Sequence, residues 1–421
     1  MTLSVGVARK IISPPQGIYL IGYGDRTKGN LGVHDDLTAT ALALNDGLHR
    51  AVIVACDLLA INEHTVARIQ AHTGSNVVIC CSHTHSGPIT YAGQRSPRKN
   101  RDYVNYLVTQ IVQAVKEALA SLQPAHISWS QGEGDIAINR RERKPDGHIE
   151  IGVYPTGPID RSVTILQAQS LNGKPIVTLV NYQCHGTVLG PKNMLVSADW
   201  IGAMRRIVEK ESGAPVMFLQ GATGDLNPDH AWGKDDLEAV EKFGGRVSEQ
   251  VLKGLTFLAP VLGEAISFHE EQVWLPLEAE AHGTTPPPTY RAVLARMAHV
   301  PRFMVDFVLN YRYPWKTHIA AQNGYWSVPV VLTHVRVEDL ALIALGAEVF
   351  TEIGIAIKRT PNTSPTLFAS VSSGCIGYLP TASEHALGGY EVDMSPYFYR
   401  MPGRLQADSA ERVMEAVRNL E

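Results

Sequence analysis

The sequence predicts an α/β fold of mixed, layered β-sheets flanked by helices. Three observations carry that expectation. Short continuous apolar runs recur along the chain, each is cut off at once by small and polar residues, and stretches of helical character lie between them. Apolar runs bounded by turn residues read as strands buried on both faces. Strands interleaved with helices place such sheets between helical layers.

The runs cover residues 76–81, 175–184, 215–220, 340–345 and 366–371. They lead, in order, into Ser82-His-Thr-His-Ser-Gly-Pro88, His185-Gly-Thr187, Gly221-Ala-Thr-Gly-Asp-Leu-Asn-Pro228, Gly346-Ala-Glu348 and Ser372-Ser-Gly-Cys-Ile-Gly-Tyr378. Helices are expected over residues 102–122, 200–211, 235–255 and 349–359. In sheets of this kind the loops at the carboxyl ends of strands gather on one edge and form the ligand crevice. Every candidate chemical residue follows an apolar run in this way.

Composition narrows the class. The chain has 421 residues, 45% hydrophobic and 19% charged, as an ordinary globular enzyme does. It is read as one domain over 1–421, large enough to bury a core without disulfides. A net charge of −4 argues against a nucleic-acid or anionic-membrane partner, and the one dense basic run is Arg140 to Lys144. No stretch approaches the roughly 18 apolar residues of a membrane span. The first residues lack a secretion pattern, so a cytoplasmic location is expected and a homo-oligomer is compatible with the sequence. The five cysteines (Cys56, Cys80, Cys81, Cys184, Cys375) lie mostly inside apolar runs and read as buried free thiols. Residues 283–327 hold Pro286 to Pro288 and then Phe303, Phe307, Tyr311, Tyr313, Trp315, Tyr325 and Trp326. This insertion reads either as a helical excursion on the core or as a lid or substrate wall.

His83 and His85 stand two apart just after a strand, so in extended backbone both imidazoles point to one side. Small neighbours would let a metal or substrate approach, although satisfied loop histidines are an equal reading. His185 and Glu348 end two further runs. Two imidazoles and one carboxylate at a common sheet edge suit zinc, which leaves a position for water. Glu348 also reads as an acid at the start of the following helix. The 221–228 loop matches no phosphate-binding fingerprint. It is either a structural turn or a loop offering N–H groups or Asn227 to a developing oxyanion. Asp57, after the run from Ala51 to Cys56, reads either as an outer partner of the site or, the preferred reading, as a strand-end cap.

At these residues the chain resembles the neutral/alkaline non-lysosomal ceramidase family, in its amino-terminal catalytic domain. Ser82 to Pro88 is similar to the family's Thr-His-Thr-His-Ser-Gly-Pro, and Cys184 to Thr187 to its Val-His-Gly-Thr. Ser197-Ala198-Asp199, Ala347 to Phe350, Gly377-Tyr378 through Thr381, and Tyr390-Glu391 match further motifs in the same order. The resemblance implies a Zn2+ ion on His83, His185, Glu348 and Tyr378, with His85, Arg140 and Tyr390 beside the scissile group. Asn227 stands where the family carries a serine; an amide offers no hydroxyl nucleophile but donates a hydrogen bond. The family's carboxyl-terminal domain has no counterpart in these residues, so a small acyl substrate, smaller than ceramide, is expected. The expected reaction is attack of a metal-activated water on an amide (N-acyl) carbonyl. An esterase or lactonase on the same metal, and a phosphoesterase or non-catalytic metal-binding relative, are the alternatives.

Overall fold

A nine-stranded mixed sheet combines strands buried along almost their whole length, such as Arg50–Cys56, Val77–Cys81 and Val216–Gln220, with the partly buried Gln123–Glu133 and Ser4–Ile11. Its spatial order is Val216–Gln220, Pro175–Tyr182, Ser162–Ser170, Gln123–Glu133, Ser4–Ile11, Thr38–Asn45, Arg50–Cys56 and Val77–Cys81, with Ala259–Pro260 beside Gln123–Glu133. The computed structural model describes residues 2–24, 26, 28–93, 96–229, 232–233, 235–282, 318–360 and 363–420. A second, five-stranded sheet orders Ile266–Glu280, Tyr325–Val337, Leu340–Leu345 and Thr366–Ala369, with Ala320–Gln322 paired to Tyr325–Val337. Leu42, Ile53, Val78, Leu179 and Leu219 of the first sheet pack against Val335, Leu342 and Leu367 of the second.

Three parallel strand pairs, each crossing over through a helix, set the position of the site. Arg50–Cys56 pairs with Val77–Cys81 through helix Glu63–Thr73. Pro175–Tyr182 pairs with Val216–Gln220 through Asp199–Ser212. Leu340–Leu345 pairs with Thr366–Ala369 through Thr351–Arg359. The loops at their carboxyl ends converge, with Thr84 bridged to Gly186 and Cys80 to Ser372. The segment following Thr366–Ala369 also stitches together the two outer strands of the large sheet. Ser370 N–H donates to the Gln220 carbonyl at 2.8 Å, and Ser373 N–H to that of Ile79 at 2.7 Å.

The helices match their expected spans with small shifts. Arg98–Ala120 starts earlier than expected because Pro97 supplies its cap position, and it buries Tyr103, Leu107, Ile111 and Val115 at four-residue spacing. Leu237–Gly254 is capped by Asp236, whose side chain accepts from the N–H groups of Glu238 and Ala239. All five cysteines are free and buried. Asp57 is a structural anchor: its carboxylate accepts from Thr38 N–H at 2.8 Å and pairs with Arg205 at 2.6 Å. Among the described residues no helix is long and apolar enough to cross a membrane.

One expectation is corrected. The end of the aromatic-rich insertion is not helical, since Ala320–Gln322 and Tyr325–Val337 form an antiparallel hairpin; its greater part, 283–317, lies outside the described residues. In the basic run from Arg140 to Lys144, Arg140 and Arg141 are buried, at 4% and 1% exposed.

Candidate functional site

His83 leaves the Val77–Cys81 strand with φ of +60°, a left-handed conformation uncommon for a side-chain-bearing residue. Its N–H donates to the Leu58 carbonyl at 2.9 Å. Its ring Nδ1 lies 2.6 Å from the Leu59 carbonyl oxygen. A carbonyl only accepts, so Nδ1 carries the proton and Nε2 is left with its lone pair. His185 repeats the arrangement, with Nδ1 2.8 Å from the Leu226 carbonyl. The two histidine loops run side by side, His85 N–H donating to the Gly186 carbonyl at 3.1 Å.

The rings of His83, His85 and His185 are 4.8–5.5 Å apart between centroids. Their ligand atoms all lie within 4.8 Å of one another, a group that could hold a metal ion. Glu348 Oε2 lies 3.2 Å from His83 Nε2 and 3.5 Å from His185 Nε2. Despite these distances, the two Nε2 atoms and Oε2 make no hydrogen bond, and neither nitrogen of His85 has a partner. Burial of a polar atom without a partner costs about 1–3 kcal/mol. Lone pairs converging without protons between them, on residues 0–2% exposed, are what a cation satisfies. Two imidazoles and a carboxylate therefore fit zinc.

Burial pushes the His85 and His185 imidazoles down, His185 to about 4, so both are neutral at neutral pH, the form that ligates metals.

Glu348 sits directly opposite Tyr378 in a short parallel pairing of Glu348–Val349 with Tyr378–Leu379. It is not the acid at the start of the following helix. That helix begins at Thr351, and Asp225 meets its free backbone donor, accepting from Thr351 N–H at 2.8 Å and its hydroxyl at 2.7 Å.

Across from the histidines, Arg140 projects from the strand Ala137–Arg143. Its guanidinium donates to Tyr378 oxygen at 3.0 Å, Asn227 Oδ1 at 3.3 Å and Glu391 Oε1 at 2.9 Å. A guanidinium only donates, so the amide oxygen of Asn227 must face it. The Asn227 Nδ2 group is left buried and without a partner. Asn227 lies on the strand Leu226–Pro228, paired with Ala137–Arg143, so its loop is more than a turn. The Tyr390 ring stands 5.9 Å from that of Tyr378. Behind Arg140, Arg141 bonds Glu391 Oε2 at 2.7 Å and Glu384 at 2.6 Å, and Arg143 bonds Glu384 at 2.6 Å.

All eight candidates, His83, His85, His185, Glu348, Tyr378, Arg140, Tyr390 and Asn227, are thus joined by contacts around one centre. Other participants were not legible from the runs. Tyr399 donates its hydroxyl to Glu348 Oε1. The Tyr23 ring lies 5.0 Å from His85 and under the Arg26 guanidinium. At Gly22 (φ +106°) a Cβ would fall 2.7 Å from His85 Nδ1, so only glycine allows the roof this close. Tyr399 follows no apolar run, whereas Gly22 and Tyr23 follow the short run from Ile18 to Ile21.

A mixed α/β fold whose carboxyl-edge loops enclose a buried histidine cluster defines the class. The chain belongs to the neutral/alkaline non-lysosomal ceramidase family, whose amino-terminal domain matches residues 3–238. It is 28% identical over 239 residues to neutral ceramidase B of Dictyostelium discoideum, covering 50% of this chain and 33% of that protein. A neutral ceramidase of Mycobacterium tuberculosis is 25% identical over 244 residues, covering 50% and 37%. The chain thus spans about a third of the length of these curated relatives. The crystal structure of neutral ceramidase from Pseudomonas aeruginosa superposes with a TM-score of 0.75 at 20% identity, covering 100% of this chain and 74% of that one. That likeness is one of fold.

Proposed function

We propose that the chain is a zinc-dependent hydrolase that cleaves an amide (N-acyl) bond in an acyl substrate smaller than ceramide. The observation that carries this reading is the convergence of unpartnered His83 Nε2, His185 Nε2 and Glu348 Oε2 opposite the donors of Arg140 and Asn227. Membership of a family whose relatives are named ceramidases supports amide hydrolysis. His83, His185, Glu348 and Tyr378 would hold the ion. Zinc, when bound, supplies a Lewis acid that acidifies water and polarises a carbonyl oxygen.

The rest of the work falls to the chain. His85, neutral and without a partner, accepts a proton from the attacking water and returns it to the leaving nitrogen. The Asn227 Nδ2 group donates to the oxygen on which negative charge develops, joined by Arg140 or Tyr390. Asn227 has no hydroxyl, so an acyl-enzyme at this position is not part of the reaction. Because the ligands come from both sheets, residues 1–421 are read as one catalytic domain.

The test is metal analysis together with assays of short N-acyl amides, aryl esters and lactones before and after chelation. Metal-dependent turnover led by the amides is expected. Preferred turnover of esters or lactones would replace amidase with esterase, and full activity in metal-free protein would remove the zinc reading altogether.

A further inference from the structure

Each candidate ligand has a second protein partner that fixes its orientation. The Nδ1 atoms of His83 and His185 are held by backbone carbonyls, and the Tyr378 oxygen by Arg140. The partner of Glu348 is different in kind, because it occupies one of two equivalent oxygens. Tyr399 donates to Oε1, while Oε2 faces the histidine nitrogens.

The backbone is shaped to admit that tyrosine. At Gly377, immediately before Tyr378, φ is +98° and a Cβ would lie 2.7 Å from Tyr399 Cδ2. Any larger residue there would push the ring away from Glu348. Glu348 N–H donates to the Gly377 carbonyl at 2.8 Å, so the same glycine also fixes the backbone of the carboxylate. Ring, glycine and carboxylate form one built unit, and no step proposed above uses it.

We infer that Tyr399 is a positioning residue that makes Glu348 a one-oxygen ligand. With Oε1 engaged, the carboxylate offers the ion only Oε2, which leaves a coordination position for water or the substrate carbonyl. Without the hydroxyl the carboxylate is able to rotate, and it either takes the ion with both oxygens or swings out of line. Outer partners of this kind typically contribute roughly 10–100-fold to metal affinity.

The inference rests on the metal-centre reading, and the experiment separates the two. Zinc affinity is measured by chelator competition for the full chain, for Tyr399→Phe and for Tyr399→His, with His83→Ala as the reference for a lost ligand. Cobalt-loaded samples supply visible absorption spectra, whose d–d bands weaken as coordination number rises. The expected result is a zinc Kd raised roughly 10–100-fold in Tyr399→Phe. Its cobalt d–d absorption should be altered, and the metal-free variant should melt at the wild-type temperature. Tyr399→His, which returns an N–H donor, should recover part of the affinity. Unchanged Kd and spectrum in Tyr399→Phe, while His83→Ala has lost its metal, would overturn this inference alone. Weakened binding with a lowered melting temperature of metal-free Tyr399→Phe, and no recovery in Tyr399→His, would overturn it in favour of a purely structural role. Metal retained by His83→Ala would remove the centre itself.

Discussion

The histidine wall and the arginine wall of the site are buried to a similar depth, yet their polar atoms are satisfied in opposite ways. On the arginine side Arg140, Arg141, Glu384 and Glu391 are joined by contacts of 2.6–2.9 Å. On the histidine side His83 Nε2, His185 Nε2, Glu348 Oε2 and both nitrogens of His85 have no hydrogen-bond partner. Burial alone therefore does not mark a ligand site; the convergence of several buried, unpartnered lone pairs on one point does. The arginine wall offsets its own desolvation by mutual attraction. The histidine wall leaves its cost to be offset by what binds there.

Breaking the histidine wall should have the largest effect. His83→Ala is expected to weaken metal binding by well over the roughly 100-fold that loss of an outer partner causes. Metal content and titration calorimetry check this, and hydrolysis should fall in step. On the arginine wall, Glu391→Gln leaves two buried guanidiniums short of an anion and should lower stability by about 3–5 kcal/mol in urea unfolding. A variant as stable as the parent would show that this network is not closed as described. Between the walls, Asn227→Leu removes the Nδ2 donor together with the Oδ1 that accepts from Arg140, and is expected to leave the fold and the metal in place. Its kcat should fall by about 10²-fold, the usual effect of one oxyanion donor, with metal content unchanged.

Glu63 belongs to neither wall and should give the smallest effect. Burial raises its carboxyl from 4.5 to about 7. A raised folded-state value means that the acid's contribution to stability is complete below 4.5 and is lost as pH climbs through 7. Glu63→Gln should therefore melt roughly 1–3 °C higher than the parent at pH 8 and flatten the decline between these limits. Parallel melting curves for both proteins across that range would contradict the assignment.

Much of the candidate site was legible because His83, His185 and Glu348 each follow an apolar run, and the order of runs and helices already implied parallel pairs with a shared carboxyl edge. His83, His185 and Glu348 could be grouped on that ground alone. Arg140 and Tyr378 could not: they meet across 238 positions, and only resemblance connected them. Tyr399 was invisible because it stands at the end of the short helix Ser395–Phe398, with no strand to announce it. The capping of Thr351 by Asp225 was missed for a related reason. Sequence order suggests that a helix is capped by the residue just before it, whereas here the cap comes from a loop 126 positions away.

The stitch between the two outer strands of the large sheet bears on how the centre comes into being. Ile79 and Ser373, which meet in it, are separated by 294 positions along the chain. Contacts of such separation form late, since a long stretch of backbone must be ordered before they are rewarded. His83 and His185 leave the ribosome well ahead of Glu348 and Tyr378. A nascent chain that has emerged only as far as His185 carries the three clustered histidines but neither Glu348 nor Tyr378, so the cage is closed by the last part of the chain to arrive.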